Sequence, residues 1–153
     1  MDAVDEAGRP HVHIVKLCVG ATSIEDLAGW IEERLEQKRR AGQPAEQFHV
    51  TRMAPKRRDE ILAGGSLYWV IRGLVQCRQR FIDLRPVTGE DGIERCAFVL
   101  EPTLVPVDPR PRSPFQGWRY LKPEEAPVDL SEHGAGDDMP IEMRRELHEL
   151  GLL

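Results

Sequence analysis

The feature that most constrains the fold is a run of aromatic and β-branched side chains in the middle of the chain. Residues 66–72 read Ser-Leu-Tyr-Trp-Val-Ile-Arg, a composition that fits a pleated strand and loses rotamer freedom in a helix. At a period of two, Leu67 and Trp69 share one face of this strand while Tyr68 and Val70 share the other. We therefore predict a strand whose two faces are both largely covered.

Proline and glycine divide the residues around this strand into further elements. Pro55 can open a short helix over residues 56–63, and Gly64 and Gly65 can end it. Gly73 follows the central strand and predicts a bulge or a tight bend before a second strand at residues 74–84. The middle of the chain therefore contains a short helix followed by two strands.

The flanking sequence predicts one long helix and several strands. Thr22 and Glu25 form a capping box, and apolar residues at helical spacing continue to Leu35, so we expect a helix over residues 22–40. Residues 78–87 and 93–100 should form an antiparallel hairpin, because the turn between them contains two glycines. Further strands are predicted at residues 11–19, 48–53 and 104–107.

These elements predict an α+β fold, with a mostly antiparallel, curved sheet or a small β-barrel, one long packed helix and a peripheral C-terminal helix. The 153 residues suit one domain. We expect a flexible N-terminus at residues 1–10, a single α+β domain at 11–122, an acidic linker at 123–139 and a C-terminal helix at 140–153. Within the domain, residues 109–114 alternate proline and arginine and predict an extended, polyproline-like arm.

Composition limits the class of protein. No apolar run approaches the roughly 20 residues that a membrane helix needs, and the acidic start lacks a signal-peptide pattern, so we expect a cytoplasmic protein with no membrane partner. Cys18, Cys77 and Cys96 are spaced too widely for a disulfide framework or a CxxC metal site, and are best interpreted as small buried side chains. No nucleotide-binding fingerprint occurs, and no cofactor is expected. The sequence does not indicate an oligomeric state.

Motifs for metal binding and catalysis are weak. His11 and His13 would project from one strand face, with His49 as a third candidate ligand, but no carboxylate or cysteine lies at a diagnostic interval. We therefore interpret them as ordinary strand histidines and predict no metal site. Ser66 follows two glycines but lacks the GxSxG elbow that exposes a catalytic serine.

The charge distribution supplies the main functional indication. Residues 52–85 carry eight basic and three acidic side chains, although the whole chain has a net charge of -5. Eight cations cannot all be paired locally by three anions, so the middle segment is expected to bind an anionic ligand. The negative total argues against indiscriminate, charge-driven coating of nucleic acid.

The candidate ligand-binding residues combine cationic and aromatic groups. Arginine binds phosphate through two parallel N–H donors, and exposed aromatic rings stack on bases. Two alternatives remain: the tryptophans could belong to the core, and the arginines could pair with Asp59, Glu60 and Asp83. The candidates are Arg52, Lys56, Arg57, Tyr68, Arg72, Arg78, Arg80, Trp118 and Arg119.

Arg78 and Arg80 give the sharpest expectation, since both share one face of the second strand with Gln76. Burying an unpaired charge costs several kcal/mol or more. This face must therefore line solvent, a cleft or an ion-pair network.

Four sequence blocks resemble a bacterial family called domain of unknown function 1489: HIVKLCVGA, HVTRMAPKRRDEILAGGSLYWVIRG, RCAFVLEP and PFQGWRYLKPEEAP. The resemblance covers roughly residues 11–130 and implies no catalytic residues. The helix-then-glycine element ILAGG is more distantly similar to PUA-like β-barrels, including the ASCH group, in which strands line a cleft for RNA or a nucleotide. In place of the lysine and glutamate pattern of ASCH sequences, residues 66–69 read Ser-Leu-Tyr-Trp.

Three functional hypotheses follow. The first is a PUA-like module that binds RNA or a nucleotide through its basic and aromatic face. The second is an enzyme acting on a small anionic substrate, which would need a concave pocket holding a titratable group of perturbed pKa. The third is a protein-interaction domain that uses the arm at residues 109–114 and the C-terminal helix. Whether the protein is an enzyme is left open by the sequence.

Overall fold

A sheet of seven strands and two α-helices forms the fold, which a computed structural model describes for residues 11–130. The predicted α+β class is confirmed. The predicted N-terminal segment, the C-terminal helix and most of the acidic linker lie outside the described residues. The helices are α1 (Ile24–Arg40) and α2 (Arg58–Leu62), and the strands are β1 (His13–Leu17), β2 (Gln47–Thr51), β3 (Ser66–Ile71), β4 (Leu74–Thr88), β5 (Glu94–Leu100), β6 (Val105–Pro111) and β7 (Trp118–Leu121).

The long strand β4 is the spine of the sheet. Its first half pairs with β3 and also with β6, and its second half pairs with β5. The strand order is β2-β5-β4-β3-β1-β7, and only the β1–β3 pair among the paired strands is parallel. The mostly antiparallel sheet is therefore confirmed. Because β2 and β7 are not paired with each other, the sheet does not close into the small β-barrel that was the alternative prediction.

The sheet is nevertheless curved. The β4 pairings shift register at three places, and such bulges bend a strand and increase its local twist. At the end of the sheet, the ring of His49 on β2 lies 5.1 Å from the ring of Trp69 on β3. Strands that are not neighbours in the strand order are thus brought together on one side of the sheet. The same side holds α1.

Each face of the sheet has its own apolar core, as the two-sided pattern of β3 predicts. The larger core contains Leu67 and Trp69 of β3 together with the buried face of α1. The smaller core on the opposite face contains Tyr68 and Val70 together with Val107 of β6. Because both faces of β3 are covered, the strand is buried along its whole length.

Side-chain and backbone hydrogen bonds explain why the helices begin one or two residues away from the predicted positions. The N-cap of α1 is Ser23 rather than Thr22, because Ser23 Oγ accepts the Asp26 N–H at 3.0 Å. The N–H groups of Lys56 and Arg57 donate to the Tyr120 hydroxyl, so this loop is held outside a helix and α2 begins at Arg58. The end of α1 at Arg40 agrees with the prediction.

A two-residue turn connects β3 to β4, which confirms the predicted tight bend at Gly73. Ile71 pairs directly with Leu74, and Arg72 and Gly73 both have positive φ, at 53° and 77°. Two consecutive residues of this kind form the turn that matches the twist of a hairpin, and glycine is favoured at such a position. Arg72, a candidate binding residue, therefore lies at the tip of a hairpin.

The segment after β5 differs from its prediction. The polyproline-like arm is wrong for residues 109–111, which belong to β6 and pair with β4, with Pro111 opposite Leu74. Proline is tolerated there because β6 is not a central strand of the sheet. β7 was not predicted, because a strand of only four residues gives a short pattern. Within the predicted linker, residues 123–130 include a 3-10 turn (Pro123–Glu125) and a bridge between Val107 and Asp129.

None of the helices within residues 11–130 is long and apolar enough to cross a membrane.

Candidate functional site

A cleft of about 380 Å³ opens between the loop at residues 52–57, α2 and the outer ends of β4 and β5. This volume lies within the range of small-molecule sites. Three arginines contribute to its wall, so we call it the arginine cleft. Its lining residues are Arg52, Ala54, Pro55, Arg58, Leu84, Pro86, Glu94, Arg95 and Cys96.

The loop on one side of the arginine cleft is fixed by β7. Trp118 Nε1 donates to the Met53 carbonyl at 2.9 Å, and the Thr51 hydroxyl donates to the same carbonyl at 3.0 Å. The Tyr120 hydroxyl accepts the N–H groups of Lys56 at 2.9 Å and Arg57 at 3.2 Å. The loop that carries Arg52 is therefore held in place before any ligand arrives.

Carboxylates fix two of the three arginines. Arg58 Nη2 lies 2.8 Å from Asp83 Oδ1, and its other terminal nitrogen donates to the Leu84 carbonyl. Arg95 donates to both oxygens of Asp91, at 3.0 and 2.7 Å. This contact holds the pKa of Asp91 well below its usual range. Each guanidinium carries five N–H donors, so pairing with one carboxylate leaves further donors for a ligand.

Arg52 differs from the other two arginines. It is exposed at the cleft, and within residues 11–130 no carboxylate pairs with it. Glu94 is the one acidic side chain among the lining residues, against three guanidinium groups. Because Asp83 and Asp91 compensate Arg58 and Arg95, Arg52 supplies the least compensated charge of the arginine cleft.

Cys96 contributes a thiol to the cleft, but the thiol is not activated. It is 4% exposed, and burial raises its pKa, so it stays protonated near neutral pH. The lining includes no histidine, as far as the described residues extend. The cleft therefore presents binding groups rather than a nucleophile paired with a base.

The structure distributes the nine candidate residues over separate places. Arg52, Lys56 and Arg57 lie on the loop beside the arginine cleft, where Arg57 also pairs with Glu60. Trp118 lies beneath this loop in the larger core, 6% exposed. The remaining five, which are Tyr68, Arg72, Arg78, Arg80 and Arg119, lie on the opposite sheet face, at its edge or at the hairpin tip.

Arg78 belongs to an ion-pair network, one of the three environments expected for its face. Its Nε and Nη2 donate to the two Asp129 oxygens at 2.8 and 2.6 Å, and Nη1 donates to Ser66 Oγ at 3.0 Å. Gln76 is buried and donates to the Ile71 carbonyl at 2.7 Å. Arg80, in contrast, is exposed. The two arginines therefore have different environments although they share a strand face.

The two candidate aromatic residues are interior side chains. Tyr68 is 4% exposed within the smaller core, and its ring lies 5.0 Å from the ring of His13. Trp118 packs edge to face with Tyr120 at 4.9 Å. The expected role of exposed stacking platforms for bases does not fit these positions, because neither ring presents an open face. The core assignment that sequence left open for Trp118 is the observed one.

The family model described as Protein of unknown function (DUF1489) matches residues 14–153. The chain belongs to this DUF1489 family. No curated protein and no solved structure matches the chain. The resemblance to domain of unknown function 1489 is thus confirmed, and the more distant likeness to PUA-like and ASCH proteins is not.

Of the residues that line the arginine cleft of this DUF1489 protein, only Arg52 was among the residues predicted from sequence. Arg58 lies in the basic stretch but was not singled out, and Arg95 and Glu94 lie on a strand that was predicted for other reasons. The predicted hairpin could have indicated Arg95. In the observed register Cys96 lies opposite Pro86, so Arg95 lies near the end of β4. An arginine on the opposing strand could have been added to the basic set on that basis.

His13 and His49 of the DUF1489 chain occupy different sides of the sheet. His13 Nδ1 accepts the Ser66 N–H at 2.9 Å, and burial is the main cause that lowers the pKa of His13 to about 4. His49 lies on the α1 side, where burial likewise lowers its pKa to about 4. Among the described residues, no group of three or more histidine, cysteine or acidic side chains is arranged to hold a metal ion.

Proposed function

We propose that this DUF1489 protein binds a nucleotide in the arginine cleft. The observation that carries the proposal is the convergence of Arg52, Arg58 and Arg95 on one cleft of about 380 Å³, with Arg52 lacking an ion pair inside the described range. Guanidinium groups match the geometry of phosphate oxygens and bind them through parallel hydrogen bonds. Phosphate groups are therefore the expected partners of these arginines.

The cleft also offers a place for the base. Its apolar lining comes from Pro55, Leu84 and Pro86, which border the arginines. A flat base can pack against such side chains while the phosphates contact the guanidinium groups. Arg58 and Arg95 are already held by Asp83 and Asp91, so little side-chain entropy is lost when a ligand binds.

A nucleotide fits the geometry better than a long RNA strand. RNA recognition on a sheet surface needs exposed aromatic platforms, whereas Tyr68 and Trp118 are buried. The remaining candidate arginines, Arg72, Arg78, Arg80 and Arg119, lie on the opposite sheet face, at its edge or at the hairpin tip, away from the arginine cleft. A net charge of -5 also weakens the attraction of a polyanion.

An enzyme acting on a small anionic substrate finds less support. The cysteine in the cleft has a raised pKa, and Asp83 and Asp91 have lowered pKa values, so each keeps its ordinary protonation state near neutral pH. A general acid or base needs a pKa near the operating pH. We therefore propose binding rather than catalysis. We also propose a cytoplasmic location, because nucleotides are most abundant there.

Isothermal titration calorimetry with AMP, ADP, ATP and a short single-stranded RNA tests the proposal. Removing one charged hydrogen-bonding group costs about 1.5–3 kcal/mol, so Arg52→Ala should weaken nucleotide binding by roughly 10- to 100-fold. The matched control is Arg80→Ala, which removes an exposed arginine outside the cleft. It should leave the affinity unchanged.

The same titrations can refute the proposal in two ways. If none of the nucleotides binds the wild-type protein, the cleft is not a nucleotide site. If Arg80→Ala weakens binding more than Arg52→Ala, the ligand site lies on the Arg78 face instead. An RNA that binds much more tightly than each of the nucleotides would favour the RNA-binding hypothesis.

A further inference from the structure

A second concave site lies between α1, the end of β1 and β2, on the α1 side of the sheet. It has a volume of about 170 Å³ and shares no lining residue with the arginine cleft. We call it the α1 groove. The residues that the argument uses are Lys16, Trp30, Arg34, Phe48, His49 and Trp69, all of which line it.

The α1 groove has two cations and no carboxylate in its lining. Lys16 and Arg34 contribute the cations, and neither has an ion pair with a residue between positions 11 and 130. Lys16 is half-buried, and in the sheet it lies between Trp69 on β3 and Trp118 on β7. Burial lowers the pKa of Lys16. A bound anion would supply the missing countercharge.

His49 adds an unused hydrogen-bonding atom to the same groove. Its Nε2 is buried, and within the described chain it has no hydrogen-bond partner. Burial, followed by the charges of Lys16 and Arg34, lowers the pKa of His49 to about 4, so the imidazole is neutral near neutral pH. A neutral imidazole still donates one N–H, and a buried polar atom left unpaired is unfavourable.

Aromatic side chains form the rest of the groove. Trp30 on α1 is 38% exposed, and Trp69 on β3 also lines the groove, whereas the Phe48 ring already has Lys38 Nζ 4.0 Å from its centroid. The volume of 170 Å³ corresponds to about five or six water molecules, at roughly 30 Å³ each. The space therefore suits a small ligand with an apolar body and one charged end.

We propose that the α1 groove binds a small aromatic carboxylic acid, whose carboxylate lies among Lys16, Arg34 and the Nε2–H of His49 and whose ring packs against Trp30 and Trp69. The cations and the imidazole satisfy the carboxylate oxygens. The aromatic walls remove the ring from water. A free phosphate would meet the same cations but would leave the apolar walls unused. This site is separate from the proposed nucleotide site and does not depend on it.

Calorimetric titration with sodium benzoate tests the proposal, with inorganic phosphate as the second probe. We expect saturable benzoate binding with a dissociation constant of about 1 mM or below, and weaker binding of phosphate. Arg34→Gln should weaken benzoate binding by roughly tenfold, because a charged hydrogen bond contributes about 1.5 kcal/mol or more. The matched control Arg40→Gln removes the same charge from an exposed position of the same helix and should change the affinity less than twofold.

A second variant keeps the test decisive if Arg34→Gln lowers stability. His49→Phe preserves a ring at the groove but removes the nitrogen, so it should also weaken benzoate binding. The proposal is overturned if benzoate shows no saturable binding, if phosphate binds as tightly as benzoate, or if Arg40→Gln has the same effect as Arg34→Gln. Arg52→Ala should leave benzoate binding intact, which separates this result from the outcome at the arginine cleft.

Discussion

Replacing Arg78 by methionine tests how the smaller core is held together. The Arg78 guanidinium donates two hydrogen bonds to Asp129 and one to Ser66 Oγ. Asp129 also forms the bridge to Val107, which is fully buried beneath residues 122–130. Arg78→Met keeps much of the side-chain volume but leaves the Asp129 carboxylate without this partner, so we expect a clear loss of stability.

The magnitude follows from the exposure of the pair. The side chains of Arg78 and Asp129 are 24% and 14% exposed, which places the pair between two limits. Breaking a fully buried ion pair costs about 3–5 kcal/mol, whereas an exposed pair contributes about 0–1 kcal/mol. We expect Arg78→Met to lower the free energy of unfolding by about 2 kcal/mol. For a chain of this size, that corresponds to a fall of about 4–8 °C in the melting temperature.

Urea unfolding of three variants measures this effect and its cause. Adding Asp129→Asn to Arg78→Met removes the uncompensated charge, so the double variant should be more stable than Arg78→Met alone. The control is Arg110→Met on β6, whose ion pair with Asp108 leaves Arg110 61% exposed, and it should cost less than about 0.5 kcal/mol. If Arg78→Met is no more destabilising than this control, or if the double variant is the least stable of the three, the reasoning is refuted.

Three further predictions concern stability. Gln79 is fully buried, and its amide makes four hydrogen bonds: one to Trp69, two to the Gln47 amide and one to the Glu101 carbonyl. Gln79→Met should therefore lower the free energy of unfolding, measured in urea, by about 2–4 kcal/mol. A near-neutral result would contradict this hydrogen-bond network. A Cβ at Gly65 would lie 2.3 Å from the Val12 carbonyl oxygen, so Gly65→Ala should lower the melting temperature strongly. Gly29 on α1 has open space around it, so Gly29→Ala should raise the free energy of unfolding by about 0.5–1 kcal/mol. Equal effects of the two substitutions would rule out the steric argument. The pKa values of His13 and His49 are both about 4 in the folded protein, against an ordinary value of 6.5. Between these values the unfolded chain binds protons more readily, so each histidine should lower stability by about 1–2 kcal/mol from pH 7 to pH 5. His13→Gln should remove roughly half of the fall due to the two histidines, and an unchanged profile would count against it.

The elements of this fold could be predicted because local patterns determine them. The alternation of β3, the apolar spacing of α1 and the glycines after β4 each favour one structure, and all three elements were found where expected. The end of α1 was also correct, because basic residues and Gly42 coincide there. Only the exact cap was misplaced, since Thr22 and Ser23 are both good N-cap residues.

The pairing of distant strands could not be predicted in the same way. β1 and β3 are parallel neighbours although α1, β2 and α2 lie between them in the chain. β7 has no strong pattern of its own and is placed by its pairing with β1. The β6 prolines favoured an extended arm, and an extended backbone also suits an edge strand, so sequence could not distinguish the two.

The candidate site was predicted only in part for a related reason. The excess of positive charge in residues 52–85 correctly indicated a basic loop, and Arg52 does line a cleft. Charge counts cannot show which arginines find partners far away in the chain. Asp129, 51 residues from Arg78, pairs with it, and Asp83 pairs not only with Arg85 of its own strand but also with Arg58, 25 residues away on α2.

The most direct test of the nucleotide proposal is an NMR titration of the wild-type protein with ADP, followed through its backbone amide signals. The arginine cleft predicts that the largest shift changes fall in residues 52–58 and 84–96, from the loop, α2, β4 and β5. The same titration of Arg52→Ala should produce much smaller changes at equal ADP concentration. Changes confined to residues 66–80, or no changes at all, would contradict the account.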